Sequence, residues 1–158
     1  MEVEDLREQV ETESDLMKET LDRVERPRLK IGTGTPDDDQ LAAAGAYLVN
    51  LYTGVENILK RIVKFRRLQL PEGPNWHVSL LQMFGPSAGE DLPLLIDEEL
   101  MKDMGPYLGF RHLLMHGYAI LLRWDRLGPN LTRAHEVFPR FIEAVSRFVE
   151  SERQGSDR

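Results

Sequence analysis

The sequence predicts an all-α protein, an antiparallel bundle of five or six helices. Apolar residues recur at three- and four-residue spacing in several long segments, and no segment alternates as a half-buried strand does. Turn-forming Gly and Pro pairs separate these segments by short links, which favours antiparallel neighbours. With 158 residues, 41 % of them hydrophobic, the chain is long enough to bury a core in one domain.

The negative charge of the chain is concentrated at its start. Residues 1–40 hold 6 Lys and Arg against 13 Asp and Glu, so the whole net charge of −7 lies there. Residues 41–158 are neutral. The bulk charge therefore neither indicates nor excludes a nucleic-acid substrate.

A charged helix with a thin apolar stripe is predicted first, and we expect Pro27 to end it. A polar, turn-forming stretch follows and finishes in aspartates that suit the start of a helix. The predicted units are an acidic N-terminal helix at residues 1–30, a linker at 31–40, a helical domain at 41–152 and a tail at 153–158.

The helical domain is predicted to begin with a long helix over residues 37–67. Its last turns are basic, which suits the negative end of a helix but is also typical of a solvated surface. Gly105-Pro106 and Gly128-Pro129 are predicted to separate the last three helices. The helices after the first are predicted at residues 76–84, 92–104, 107–126 and 131–151.

Several classes of protein are disfavoured. The absence of cysteine removes disulfides, thiol catalysis and cysteine-bound zinc. The N-terminus does not resemble a signal peptide, and no apolar run approaches the ~20 residues of a membrane span, so we expect a soluble, cytoplasmic protein. His112 and His116 have a spacing that suits zinc, but no Glu of an H-E-x-x-H site lies between them. We expect no metal and no cofactor.

Residues 109–118 carry the most informative pattern. On a helical wheel, Arg111, His112, His116 and Tyr118 fall on the side opposite a core-facing apolar stripe. Apolar residues are mixed among them, which is typical of a helix with neighbours on both faces. We therefore expect a homodimer that places two sets of Arg and His across a shared cleft. Spacing alone does not establish catalysis, because most helical histidines are packing residues.

The segment resembles the R-x4-H-x-Y motif of the HepT-like toxins, within the HEPN superfamily, at Arg111, His116 and Tyr118. The similarity extends over residues 41–150 and leaves out the acidic helix. The other segments that carry it are residues 52–62, Trp76-His77 with Leu80-Leu81, and Phe110-Arg111-His112 with the final Phe-rich helix. The resemblance implies a HEPN-like bundle and a metal-independent ribonuclease that acts as the toxin of a toxin–antitoxin system.

The residue types can support that chemistry. RNA carries its own nucleophile, the 2′-OH. The resemblance implies that His116 exchanges protons with it while Arg111 holds the phosphate through parallel hydrogen bonds. His112 would orient His116 or contact RNA, and a packing role suits it equally well. Glu56 and Asn57 are polar residues of a buried helix that would brace the site or make a structural hydrogen bond.

Tyr118 has two interpretations. Taken alone it is a half-buried aromatic residue with its hydroxyl at the surface. The resemblance implies instead a site that an MNT-type nucleotidyltransferase antitoxin modifies with AMP, adding negative charge beside Arg111.

Two other functions fit the sequence. The first is a non-catalytic HEPN-fold module that binds a nucleotidyltransferase or a nucleotide. The second is a plain helical dimerisation domain. Loss of RNA cleavage in folded Arg111→Ala and His116→Ala proteins would favour the enzyme over both.

Overall fold

A computed structural model of the chain describes residues 1–31 and 34–157. Side chains are described for the same residues except 25–31. Within that part, the regular structure consists of five α-helices and one 3-10 turn at Ala119–Leu121, and it contains no strand. The all-α prediction is therefore confirmed. The helices are α1 (Val3–Ile31), α2 (Asp38–Phe65), α3 (Trp76–Gln82), α4 (Glu98–Met115) and α5 (Trp124–Ser156).

The central helix is α2, and all four other helices pack against it. Its start is fixed by a capping box. The side chain of Asp37 accepts from the backbone N–H of Gln40 at 2.8 Å, and the Gln40 side chain accepts from the Asp37 N–H at 3.0 Å. These two bonds satisfy backbone donors that have no partner inside the helix, which is why the aspartate run begins it.

The acidic helix α1 is part of the core rather than an appendage. It packs against α2 and α5, and Gly54 of α2 lets it come close, since a Cβ there would lie 2.5 Å from Cγ of Met17. Glu13 of α1 pairs with Arg61 at 3.2 Å and accepts from the Asn57 amide at 3.1 Å. The buried apolar side chains among residues 3–24 of α1 are Leu6, Val10, Met17, Leu21 and Val24.

The predicted end of this helix was wrong, because α1 continues through Pro27 to Ile31. Of the predicted linker, residues 32 and 33 lie outside the described residues. Within the described part of the chain, no helix combines the length and apolar character that crossing a bilayer requires.

The prediction of two helices on either side of Gly105-Pro106 was also wrong. A single helix, α4, includes Pro106 and ends at Met115. Pro106 is exposed, so the backbone carbonyl that lacks a helical partner, that of Lys102, lies where water can bond to it.

Two further prolines are tolerated in the same way. Pro129 and Pro139 both lie inside α5 and are exposed. Gly128-Pro129 therefore does not separate two helices, and the predicted helix at 131–151 lies within the longer α5. The predicted helix at 107–126 is divided among the end of α4, the 3-10 turn and the start of α5.

Candidate functional site

A cleft of about 1050 Å³ lies between the start of α3, the second half of α4 and the first turns of α5. Arg111, His112 and His116 all line it, and so does His77 of α3. Tyr118 is not among the lining residues. The structure thus brings three of the four predicted site residues to one cleft and adds a histidine from another helix.

The guanidinium of Arg111 is held by two side chains from other helices. Its Nε lies 2.6 Å from Oε1 of Glu56 on α2, and its Nη1 lies 3.2 Å from Nε2 of His77. The network closes because Nδ1 of His77 lies 2.6 Å from Oε2 of Glu56. The Glu56 side chain is only 3 % exposed, so these two partners compensate a carboxylate that has lost its water.

The hydrogen bonds determine where the proton of His77 lies. A guanidinium can only donate, so Nε2 of His77 accepts from Arg111. The proton of the neutral ring is then on Nδ1, which donates to the carboxylate of Glu56. In this arrangement His77 is a neutral imidazole between an anion and a cation.

The indole of Trp76 lies beside this network. The Cζ atom of Arg111 is 5.7 Å from the centroid of the Trp76 ring, and Nζ of Lys60 is 4.2 Å from it. The Trp76 and His77 rings are 3.5 Å apart between centroids. Cations over an indole face are attracted by its π electrons, so Trp76 helps to hold the guanidinium in place.

His116 occupies the C-terminal end of α4. Its Nδ1 is 2.8 Å from the backbone oxygen of His112, and the two imidazole rings are 4.3 Å apart between centroids. A carbonyl only accepts, so Nδ1 carries the proton and Nε2 is left as a proton acceptor in the neutral ring. The ring is exposed at the cleft and does not pack in the core.

Arg111 and His116 both line the cleft, but their polar partners differ. The polar partners of Arg111 in the described residues are Glu56 and His77, whereas the partner of His116 is His112. The arrangement offers a fixed cation and an exposed imidazole on one surface. Within the described residues, no group of three His, Asp or Glu side chains is placed to hold a metal ion.

A family model described as HepT-like protein matches residues 43–151 of the chain. The chain belongs to the HepT-like family. The match, which places it in the HEPN superfamily, covers most of α2, all of α3 and α4 and most of α5, including every cleft residue named above, and leaves α1 outside. No curated protein and no solved structure matches the chain.

The helical-wheel positions predicted for residues 109–118 of this HepT-like chain do not hold beyond Met115, because α4 ends there. Gly117 adopts a φ of +76° and forms a Schellman motif, in which the N–H of Tyr118 bonds the Leu113 oxygen at 2.8 Å. Tyr118 is therefore off the helix and 52 % exposed. Ile120, which also lies beyond the end of α4, is 91 % exposed.

Tyr52 places a buried hydroxyl near the HepT-like site, one turn before Glu56 on α2. Its Oη has no hydrogen-bond partner within the described residues. Burial raises the pKa of Tyr52 well above its usual range, the charge of Glu56 raises it further and that of Arg111 opposes both. The hydroxyl accordingly stays protonated and acts as a neutral neighbour of the ion pair.

Proposed function

We propose that this HepT-like protein is a metal-independent endoribonuclease and the toxin of a toxin–antitoxin system, with Arg111 and His116 as its catalytic residues. The observation that carries the proposal is that both residues line one cleft, the guanidinium anchored and the imidazole exposed. Membership of the HepT-like family supports the same class of activity.

The proposed reaction uses the 2′-OH of the RNA as nucleophile. Nε2 of His116 accepts the proton of that hydroxyl while its oxygen bonds to the adjacent phosphorus. The bond from phosphorus to the 5′-oxygen breaks, and this oxygen takes a proton from water or from the protonated imidazole. The products are a 2′,3′-cyclic phosphate and a 5′-OH, and no metal takes part.

Arg111 would stabilise the negative charge that develops on the phosphate. Its Nε and Nη1 already face Glu56 and His77, which leaves the two N–H groups of Nη2 without a polar partner in the described residues. These donors suit a phosphate oxygen.

Two further arginines, Arg123 and Arg126, line the same cleft against one carboxylate, Asp125. Arg123 donates to Asp125 at 3.1 and 3.3 Å, so Arg126 is the cation with the greater freedom to meet a polyanion. The positive lining supports RNA as substrate, because phosphate contacts provide most of the affinity for a nucleic acid.

The test is cleavage of end-labelled RNA in buffer with EDTA. We expect Arg111→Ala and His116→Ala each to lower the rate about 100-fold or more, since general acid–base groups contribute ~10²–10⁴-fold. Arg147→Ala, an exposed residue of α5, is the matched control and should leave the rate unchanged. Cleavage that persists equally in all three variants contradicts the proposal, and cleavage abolished by EDTA contradicts its metal-free mechanism.

We also propose that a nucleotidyltransferase antitoxin modifies Tyr118 with AMP. In support, the Tyr118 side chain is exposed and lies two residues beyond His116, which lines the cleft. Mass spectrometry after incubation with ATP and a purified MNT-type nucleotidyltransferase should show one AMP added. The addition should disappear in Tyr118→Phe and persist in Tyr47→Phe, and the reverse pattern would exclude Tyr118.

A homodimer is the third element of the proposal. Exposed apolar side chains follow one another where α4 ends, and a second copy of the chain would cover them. They are Met115, Tyr118, Ile120 and Leu121, exposed by 63, 52, 91 and 56 %. Sedimentation should give a dimeric mass that Ile120→Asp reduces to the monomeric one. A monomeric wild type at micromolar concentration would contradict this element.

A further inference from the structure

His77 connects the carboxylate of Glu56 to the guanidinium of Arg111. It is supplied by α3, whereas its partners lie on α2 and α4, and its side chain is 21 % exposed at the cleft. Both ring nitrogens are engaged, Nδ1 with Glu56 at 2.6 Å and Nε2 with Arg111 at 3.2 Å. An imidazole in contact with both members of an ion pair can control the geometry of that pair.

We infer that His77, in its neutral form, is a positioning residue that directs the guanidinium of Arg111 into the cleft. The inference deepens the proposed ribonuclease function and rests on it for the activity that would be controlled. The role is one of orientation, because His77 acts on the phosphate through Arg111.

The orientation follows from the shape of the guanidinium. The group is planar and rigid, so fixing Nε and Nη1 also fixes where Nη2 lies. Nε lies 2.6 Å from Glu56 in an ion pair, and the hydrogen bond to His77 engages Nη1. Without the contact to His77, the guanidinium could pivot about its remaining partner, and its free donors would no longer point in one direction.

The charges around His77 make this arrangement sensitive to protonation. From α2 it faces Glu56, with Lys60 above the neighbouring Trp76 and the neutral hydroxyl of Tyr52 close to the same ion pair. From α4 it faces Arg111, with His112 and His116 lining the same cleft. Glu56 is the one anion among these groups.

A second proton on the ring would be placed on Nε2, against the N–H of Arg111. The N–H of the charged imidazole and the N–H of the guanidinium would then face each other across 3.2 Å. Only one carboxylate, that of Glu56, would compensate the two positive charges. Protonation should therefore release the guanidinium and lower activity.

Nitrogen-15 NMR of labelled histidine tests the geometry independently of any cleavage. We expect the signal of His77 to show a neutral ring with its proton on Nδ1 at neutral pH, and we expect this preference to weaken in Arg111→Ala. A charged ring at neutral pH, or a proton on Nε2, overturns the inference whether or not the protein cleaves RNA.

Kinetics test the consequence. His77→Ala should lower kcat/KM for RNA about 10- to 100-fold, as loss of a supporting contact typically does. His77→Gln, whose amide can accept from Arg111 and donate to Glu56, should recover most of the activity. Gln82→Ala, on the exposed face of α3, is the matched control.

A double-variant cycle decides whether His77 acts through Arg111. In the Arg111→Ala background, His77→Ala should cause no further loss, because the group it positions is gone. Losses that multiply, or a His77→Ala protein that melts like wild type and is fully active, overturn the inference. If wild type shows no cleavage, the proposed function fails by itself and the NMR result still decides the geometry.

Discussion

Glu56 is a buried carboxylate whose two oxygens contact two different helices. Replacing it with Gln keeps its size but removes the charge that compensates Arg111, itself only 15 % exposed. We expect Glu56→Gln to lower the free energy of unfolding by about 3 kcal/mol, because breaking one side of a buried pair strands the other charge. Urea denaturation measures this. Glu143→Gln, which breaks an exposed pair with Arg147, should have no measurable effect, and equal effects would contradict the burial argument.

The individual residues of the site differ in how far the sequence could identify them. Arg111 and His116 lie five positions apart, so a local motif reaches both. Glu56 was visible as a polar residue on an otherwise buried helix. His77 belonged to the Trp76-His77 segment of the resemblance but was given no role, because its partners lie 21 and 34 positions away on other helices. Periodicity relates residues of one helix and cannot show which side chains of different helices meet.

The end of α4 depends on Gly117, whose φ is +76°. A Cβ added at this position would meet no atom within 4 Å, so substitution acts through the backbone alone. Gly117→Ala should lower stability by about 1 kcal/mol, the cost of a left-handed conformation. Gly109→Ala, in the interior of α4 with equally open space, should raise it by about 0.5–1 kcal/mol. Thermal unfolding measures both variants, and a melting temperature that changes in the same direction in the two would contradict this prediction.

The salt bridges of Asp103 connect α4 to α5. Its oxygens accept from Arg133 at 2.7 Å and Arg140 at 2.9 Å. Burial alone would raise the pKa of Asp103, but the hydrogen bonds and charges of Arg140 and Arg133 outweigh it and hold that pKa below its usual range.

A depressed pKa in the folded state means that stability is lost on acidification. The contribution of Asp103 is complete above the pKa of an unfolded aspartate, about 3.9, and disappears as the pH falls through the lower folded value. The stability difference between wild type and Asp103→Asn should thus stay constant above about pH 5 and shrink below about pH 4. Denaturation at a series of pH values measures it, and a difference that persists unchanged to pH 3 would contradict the assignment.

The helix boundaries show which information a sequence pattern does not contain. The long helix α2 was predicted within two residues at either end because capping and periodicity are local. Pro106 and Pro129 were taken as breaks, yet both are tolerated where their helix faces solvent. The true break at Gly117 was missed because apolar residues continue beyond it. Whether a Pro or Gly ends a helix depends on which face it occupies, and that is set by packing.

At the scale of the whole molecule, α1 lies outside the family match but inside the core. Among its described side chains, five apolar ones are buried, and each contributes about 1.5–3 kcal/mol when removed from water. Their sum is comparable to the whole stability of a typical domain, about 5–15 kcal/mol. The HepT-like region of this chain should therefore not fold without its acidic helix.

A matched pair of substitutions tests this dependence without truncation. Val10 is 3 % exposed and Leu16 is 55 % exposed on the same helix. Val10→Asp buries an unpaired carboxylate against α2 and α5, so we expect it to unfold the protein at 37 °C or lower its melting temperature by more than about 10 °C. Leu16→Asp adds the same charge at the surface and should melt within a few degrees of wild type. If both variants melt alike, α1 is dispensable for the fold, and deletion of residues 1–33 should then leave a cooperatively folded protein.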